Sequence, residues 1–188
     1  MGADFIRPHI EASRDAIASL LGQEAEIARI AALCVETLKA GGKILTCGNG
    51  GSATDAMHLT EELVARYRSN RRALPSIALA SDPSILTCIA NDFGWDAVFA
   101  RQVEAHGQRG DVLVGFTTSG QSENINRALR LARERGLVTV GFLGKGGGAA
   151  RPLCDHAVVV ASADTARIQE AHTLLLHLVC EAVERAFA

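Results

Sequence analysis

Five short, almost continuously apolar runs alternate with helical patterns along this chain, and that alternation most narrows what it can become. The runs are KILTC (43–47), SIALA (76–80), DVLVGFT (111–117), LVTVGFL (137–143) and HAVVVA (156–161). Helical periodicity falls between and after them, at 52–68, 83–90, 95–106, 122–135 and 164–187. Strands apolar on both sides need cover on both faces, so the pattern predicts a doubly wound α/β fold with a five-stranded parallel sheet and flanking helices. Such sheets commonly take the strand order 2-1-3-4-5. Two amphipathic helices, 3–21 and 24–40, come first, with Gly22 between them and Gly41-Gly42 as a stop. With 188 residues, a single domain spanning 1–188 is expected, residues 1–41 being N-terminal helices placed at a subunit interface.

Composition removes several function classes. Net charge is −2, and the one basic block is RYRSNRR (66–72), which reads as a solvated helix end and loop; no nucleic-acid partner is expected. The N-terminus MGADFIRPHIEASRD lacks the apolar core of a signal peptide, and no run approaches the ~18 residues that span a bilayer. Five widely spaced cysteines without a C-x-x-C pair read as reduced thiols. The expectation is a cytoplasmic protein with no membrane partner.

Doubly wound folds bind ligands beyond the carboxyl ends of their strands. Two strands here end in suitable turns. GNGGSA (48–53) matches G-x-G-x-x-A after a strand, so a dinucleotide site is a rival to a sugar-phosphate site. The acid expected about 20 residues onward is missing from RSNRRA (68–73), and Asp82 lies too far along. A plain tight turn, with Ser52 and Asp55 as a capping box, is the third reading. TTSGQS (117–122) sets four hydroxyls around one glycine at a strand-to-helix junction, which suits a phosphate monoester; helix capping alone accounts for one or two of them. GKGGGAA (144–150) reads as a glycine-rich loop only.

A third group is split along the chain. His58 and Glu62 are four residues apart and share a helix face, as do Gln169, Thr173 and His177 on the last helix. Singly, these read as a surface ion pair and a core histidine. Together, imidazole, carboxylate and amide oxygen suit a borderline divalent cation such as Zn²⁺.

CGNGGSATDAMHLTEEL (47–63), IANDFG (89–94), TTSGQS and TARIQEAHTLLLH (165–177) resemble, in order and over nearly the whole chain, the sugar isomerase (SIS) domain family. Within it they resemble the sedoheptulose 7-phosphate (phosphoheptose) isomerases. The resemblance implies conversion of D-sedoheptulose 7-phosphate to D-glycero-D-manno-heptose 7-phosphate, the first committed step toward nucleotide-activated heptoses of bacterial surface polysaccharide. It implies that Asn49, Gly50, Gly51 and Ser52 line the sugar-phosphate pocket. Asn91 and Asp92 would contact sugar hydroxyls, and Thr117, Thr118, Ser119 and Ser122 would hold the phosphate. His58, Glu62, Gln169 and His177 would bind one zinc ion per subunit, with Glu62 and His177 as the catalytic pair, in a homotetramer whose sites lie between subunits.

The chain departs from the family pattern twice. Its phosphate loop is TTSGQS where S-T-S-G-N-S is usual, and Ala166 stands where some members carry aspartate before R-I-Q-E. A non-catalytic branch of the same fold, the replication initiator-associating proteins, lacks the counterparts of Glu62 and His177; both are present here. That branch, and an isomerase of another phosphosugar, are the alternatives.

Overall fold

The computed structural model describes residues 3–188. Strands β1 (Ile44–Gly48), β2 (Ser76–Ala78), β3 (Val112–Thr117), β4 (Val138–Gly144) and β5 (His156–Val160) pair in parallel in the order β2-β1-β3-β4-β5. Both the topology and its order follow the expectation. Every residue of β1 and β3 is buried, which is why these runs carry no polar alternation.

Seven α-helices flank the sheet among the described residues: α1 (Ile6–Ala18), α2 (Glu24–Lys39), α3 (Gly51–Val64), α4 (Pro83–Phe93), α5 (Ala100–His106), α6 (Glu123–Glu134) and α7 (Thr165–Phe187). Successive strand residues face opposite sides and build two cores. Ile44, Val112, Val114 and Phe116 pack with α2, α3 and α7 through residues such as Ile30, Leu59 and Leu175. Leu45, Cys47 and Leu113 pack on the other face with Val103 of α5 and Leu129 of α6. Cys34, Cys47 and Cys180 are buried in these layers, and all five cysteines are free thiols.

Several boundaries differ from the expected ones; the helix expected over 95–106, for one, is a 3-10 turn over Trp95–Ala97 followed by α5 from Ala100. The first helix ends at Ala18, three residues early, and tightens into a 3-10 turn over Ser19–Gln23, which carries Gly22 between α1 and α2 as expected. Helix α3 stops at Val64, four residues early, because the chain doubles back and the Arg71 guanidinium caps the carbonyls of Glu62 and Leu63. Helix α4 runs on to Phe93, where Gly94 at φ +83° ends it. At its start Pro83 follows Asp82, whose carboxylate accepts from the N–H groups of Ser84 and Ile85 at 2.8 and 3.1 Å. Asp82 is thereby used as a helix cap.

Candidate functional site

The site forms where the chain leaves β1 in one direction and β3 in the other, the switch point of the sheet. Because β1 pairs with β3, the loops after Gly48 and Thr117 lie side by side. The first turn is tight: a Cβ on Gly48 would sit 2.2 Å from the Ser52 carbonyl oxygen. Gly50, at φ +57°, then turns the backbone into α3.

The two loops enclose a cavity of about 120 Å³ lined by Asn49, Ser52, Thr117, Thr118, Ser119 and Ser122, with Phe116 and Ile125. Six of the residues expected to hold the sugar phosphate therefore meet in one small polar pocket. Thr117 Oγ1 accepts from the Gly120 N–H and Ser119 Oγ from the Gln121 N–H, both at 3.1 Å, which fixes the loop. Ser122 is the N-cap residue of α6, yet its side chain makes no capping bond, leaving the hydroxyl for a ligand. The α6 N-terminus adds the positive end of a helix dipole. Asn49 exchanges two 2.9 Å amide hydrogen bonds with Asn124, a residue that the sequence motifs did not single out.

The segment after β4 does more than connect. Gly146, Gly147 and Gly148 all have positive φ, and the Gly147 carbonyl lies so near Gly120 that a Cβ there would be 2.0 Å from its oxygen. Ala150 N–H donates to the Gly120 carbonyl at 2.9 Å. The glycine-rich stretch 144–150, read from sequence as a bare loop, buttresses the phosphate-type loop.

Helices α3 and α7 run side by side and meet in three rungs. The Gln169 amide packs against Gly51, where a Cβ would be 2.3 Å from Nε2. Thr173 Oγ1 lies 3.0 Å from Asp55 Oδ1. The third rung brings His177 over His58, ring centroids 5.0 Å apart and nearly perpendicular. Asp55 faces α7, and no side-chain capping bond forms at the start of α3, so the Ser52–Asp55 capping box is not built.

His58 Nε2 lies 3.4 Å from Glu62 Oε1, and both are half-buried. Burial lowers the pKa of His177, the neighbouring His58 lowers it further, and Glu62 opposes them. The phenol ring of Tyr67 stacks on His177 at 5.9 Å and 29°. Tyr67 lies in RYRSNRR, expected to be a solvated loop; that reading fails for Tyr67 and for Arg71, whose side chain is 1% exposed. The core histidine of α7 is His172, fully buried against Phe116 and Phe142, with its pKa lowered to about 4 by burial. His177 is left free for the site.

His58, Glu61 and Glu62 present ligand atoms within 4.8 Å of one another. Glu61 is exposed, whereas Glu62 faces the histidines from the half-buried side of α3. His177 lies outside that group, its ring 5.0 Å from that of His58, but two imidazoles and a carboxylate are donor types suited to Zn²⁺. Gln169 lies on the same face of α7, two turns before His177. Asn91 and Asp92 stand apart: both are exposed on α4, and their side-chain hydrogen bonds among the described residues are to each other and from Cys88.

Comparison with known proteins identifies the family. Residues 9–144 match the SIS domain family model. A phosphoheptose isomerase of Pelobacter propionicus is 53% identical over 176 residues, covering 93% of each chain. The solved phosphoheptose isomerase of Francisella tularensis superposes with a TM-score of 0.94 at 35% identity, over 98% of this chain and 100% of that one. That of Neisseria gonorrhoeae gives 0.87 at 38%, over 97% and 96%. The chain is thus a SIS-domain protein, and it belongs within that group to the phosphoheptose isomerases, a family of sugar-phosphate isomerases.

Proposed function

We propose that this chain interconverts D-sedoheptulose 7-phosphate and D-glycero-D-manno-heptose 7-phosphate as an aldose–ketose isomerase. The observation that carries the reading is the continuity of α3: it begins at the hydroxyl-lined pocket and ends with His58 and Glu62 facing His177. From Ser52 to His58 the helix rises about 9 Å, so a substrate whose reacting carbons lie several bonds from its phosphate fits. Thr117, Thr118, Ser119 and Ser122 hold the phosphate with neutral donors and the α6 N-terminus. Asn49, Gly50, Gly51, Ser52 and Gln169 line the sugar's path.

Isomerisation moves a proton between C1 and C2 through an enediolate. Glu62 takes the proton from one carbon and returns it to the other. His177, whose lowered pKa favours the neutral imidazole, opens the sugar ring and moves protons between the oxygens. His58, Glu62, Gln169 and His177 would hold a zinc ion in this reading, and such an ion would supply Lewis-acid stabilisation of developing negative charge on oxygen. A Glu62 bound to metal is a weaker base, so its two duties compete.

Self-association completes the site in this reading. Phe93 and Trp95 are each 54% exposed beside Asn91 and Asp92, and α4 buries none of its residues within the chain. A homotetramer covering α4 brings Asn91 and Asp92 to a neighbouring subunit's sugar. The non-catalytic alternative leaves the facing of Glu62 and His177 without a purpose. The test is a panel of phosphosugars assayed with and without added zinc. Turnover confined to sedoheptulose 7-phosphate is expected; turnover of another phosphosugar in its place, or of none, overturns the reading.

A further inference from the structure

The segment between α3 and β2 is held from below by one ion pair. Arg71 Nη2 donates to the Glu62 carbonyl at 2.6 Å, and Nη1 to those of Leu63 and Arg72 at 2.9 Å. Its Nε faces Glu184 Oε2 at 3.5 Å, an ion pair without a hydrogen bond, and neither atom has a hydrogen-bond partner among the described residues. The other carboxylate oxygen of Glu184 accepts from the Ser69 hydroxyl at 2.6 Å, from the Ser69 N–H and from the Arg68 N–H. Glu184 lies on α7 seven residues beyond His177, hence on the same face. Arg68 in turn pairs with Glu181 at 2.8 Å and covers the Tyr67 ring, its guanidinium carbon 4.8 Å from the centroid. Tyr67 then stacks on His177.

One buried pair thus ties together the backbone of Glu62, the loop that carries Tyr67, and the helix that carries His177. We infer that Arg71 and Glu184 are positioning residues for the isomerisation, fixing the last turn of α3 under Glu62 and pressing the Tyr67 ring onto His177. The inference rests on the proposed roles of Glu62 and His177. Neither residue touches substrate; both act by setting the angle and spacing of the groups that do. A planar fork meeting two helix-end carbonyls and a carboxylate has no equivalent in lysine, whose ammonium is a point charge.

The test uses the full chain with zinc present and two variants, Arg71→Lys and Glu184→Gln, the second preserving side-chain volume and hydrogen-bond acceptance. Three quantities are read: the melting curve, kcat and KM on sedoheptulose 7-phosphate, and the imidazole Hε1 resonance of His177, assigned with His177→Gln. At least one variant is expected to melt cooperatively, lose about tenfold or more in kcat and keep KM within about threefold. The His177 resonance should move as the ring current of Tyr67 is lost. Wild-type kcat in a folded variant, a change confined to KM, a slow variant with an unmoved His177 resonance, or two variants that fail to fold would each overturn the inference. Absence of wild-type turnover overturns the functional reading alone; the His177 resonance then decides the positioning role by itself.

Discussion

Thr173 Oγ1 lies 3.0 Å from Asp55 Oδ1, joining α7 to α3 midway between the Gly51–Gln169 contact and the His58–His177 contact. The same hydroxyl is 3.1 Å from the Gln169 carbonyl, so one proton serves two acceptors. Burial raises the Asp55 pKa, and Thr173 offsets part of that rise. Thr173→Val should cost about 1–3 kcal/mol in urea unfolding near pH 7, the usual penalty for a buried acceptor left without its donor. Removing the donor raises the folded-state pKa of Asp55 further, so the deficit should grow as pH rises through the range above its unfolded value and shrink on acidification.

Ser122 separates a ligand-binding hydroxyl from a capping one. An N-cap serine whose side chain caps its helix loses about 1 kcal/mol of stability on replacement by alanine. The Ser122 side chain makes no such bond. Ser122→Ala should therefore change stability by less than about 0.5 kcal/mol while raising KM for the phosphosugar about tenfold. Thermal melts and initial-rate kinetics on one preparation check both halves.

Gly120 joins two loops that lie far apart in sequence. It sits at φ +65°, and an added Cβ would be 2.0 Å from the Gly147 oxygen. Gly120→Ala should cost at least about 1–3 kcal/mol from backbone strain alone and impair phosphosugar binding as the two loops part. Unfolding and ligand titration of the variant read the two effects separately.

His172 predicts acid sensitivity. Its folded pKa of about 4 lies below the ordinary histidine value of 6.5. Between those values the unfolded chain binds a proton that the folded chain does not, so stability is complete above about pH 6.5 and falls as pH drops toward 4. His172→Leu should flatten the stability–pH curve over that window by about 2–3 kcal/mol. Urea midpoints of both proteins from pH 7 to 4.5 measure the difference.

Sheet and pocket were legible because their signals are local. Each strand is a continuous apolar run, and each pocket loop is a glycine or hydroxyl cluster beside its own strand end. The capping-box alternative for Asp55 fails because S-A-T-D is a sound capping box only until α7 supplies Thr173 from 118 positions away. The RYRSNRR segment misled for a similar reason. Arginines and a tyrosine after a helix look solvated, and only the return of the chain to Glu184 buries Arg71 and lays Tyr67 on His177. The core-histidine reading of His177 fails for the same reason. LLLHLVC surrounds His177 with apolar residues, yet it is His172 that helical phase turns into the core.

The central claim is that Glu62 transfers the carbon-bound proton, and kcat of Glu62→Gln on sedoheptulose 7-phosphate tests it most directly. The amide keeps the side chain's size but cannot serve as a base. An unchanged melting temperature is expected, with kcat reduced by about 10²–10⁴-fold, the usual worth of a general base. A folded Glu62→Gln protein that turns over at the wild-type rate would contradict it.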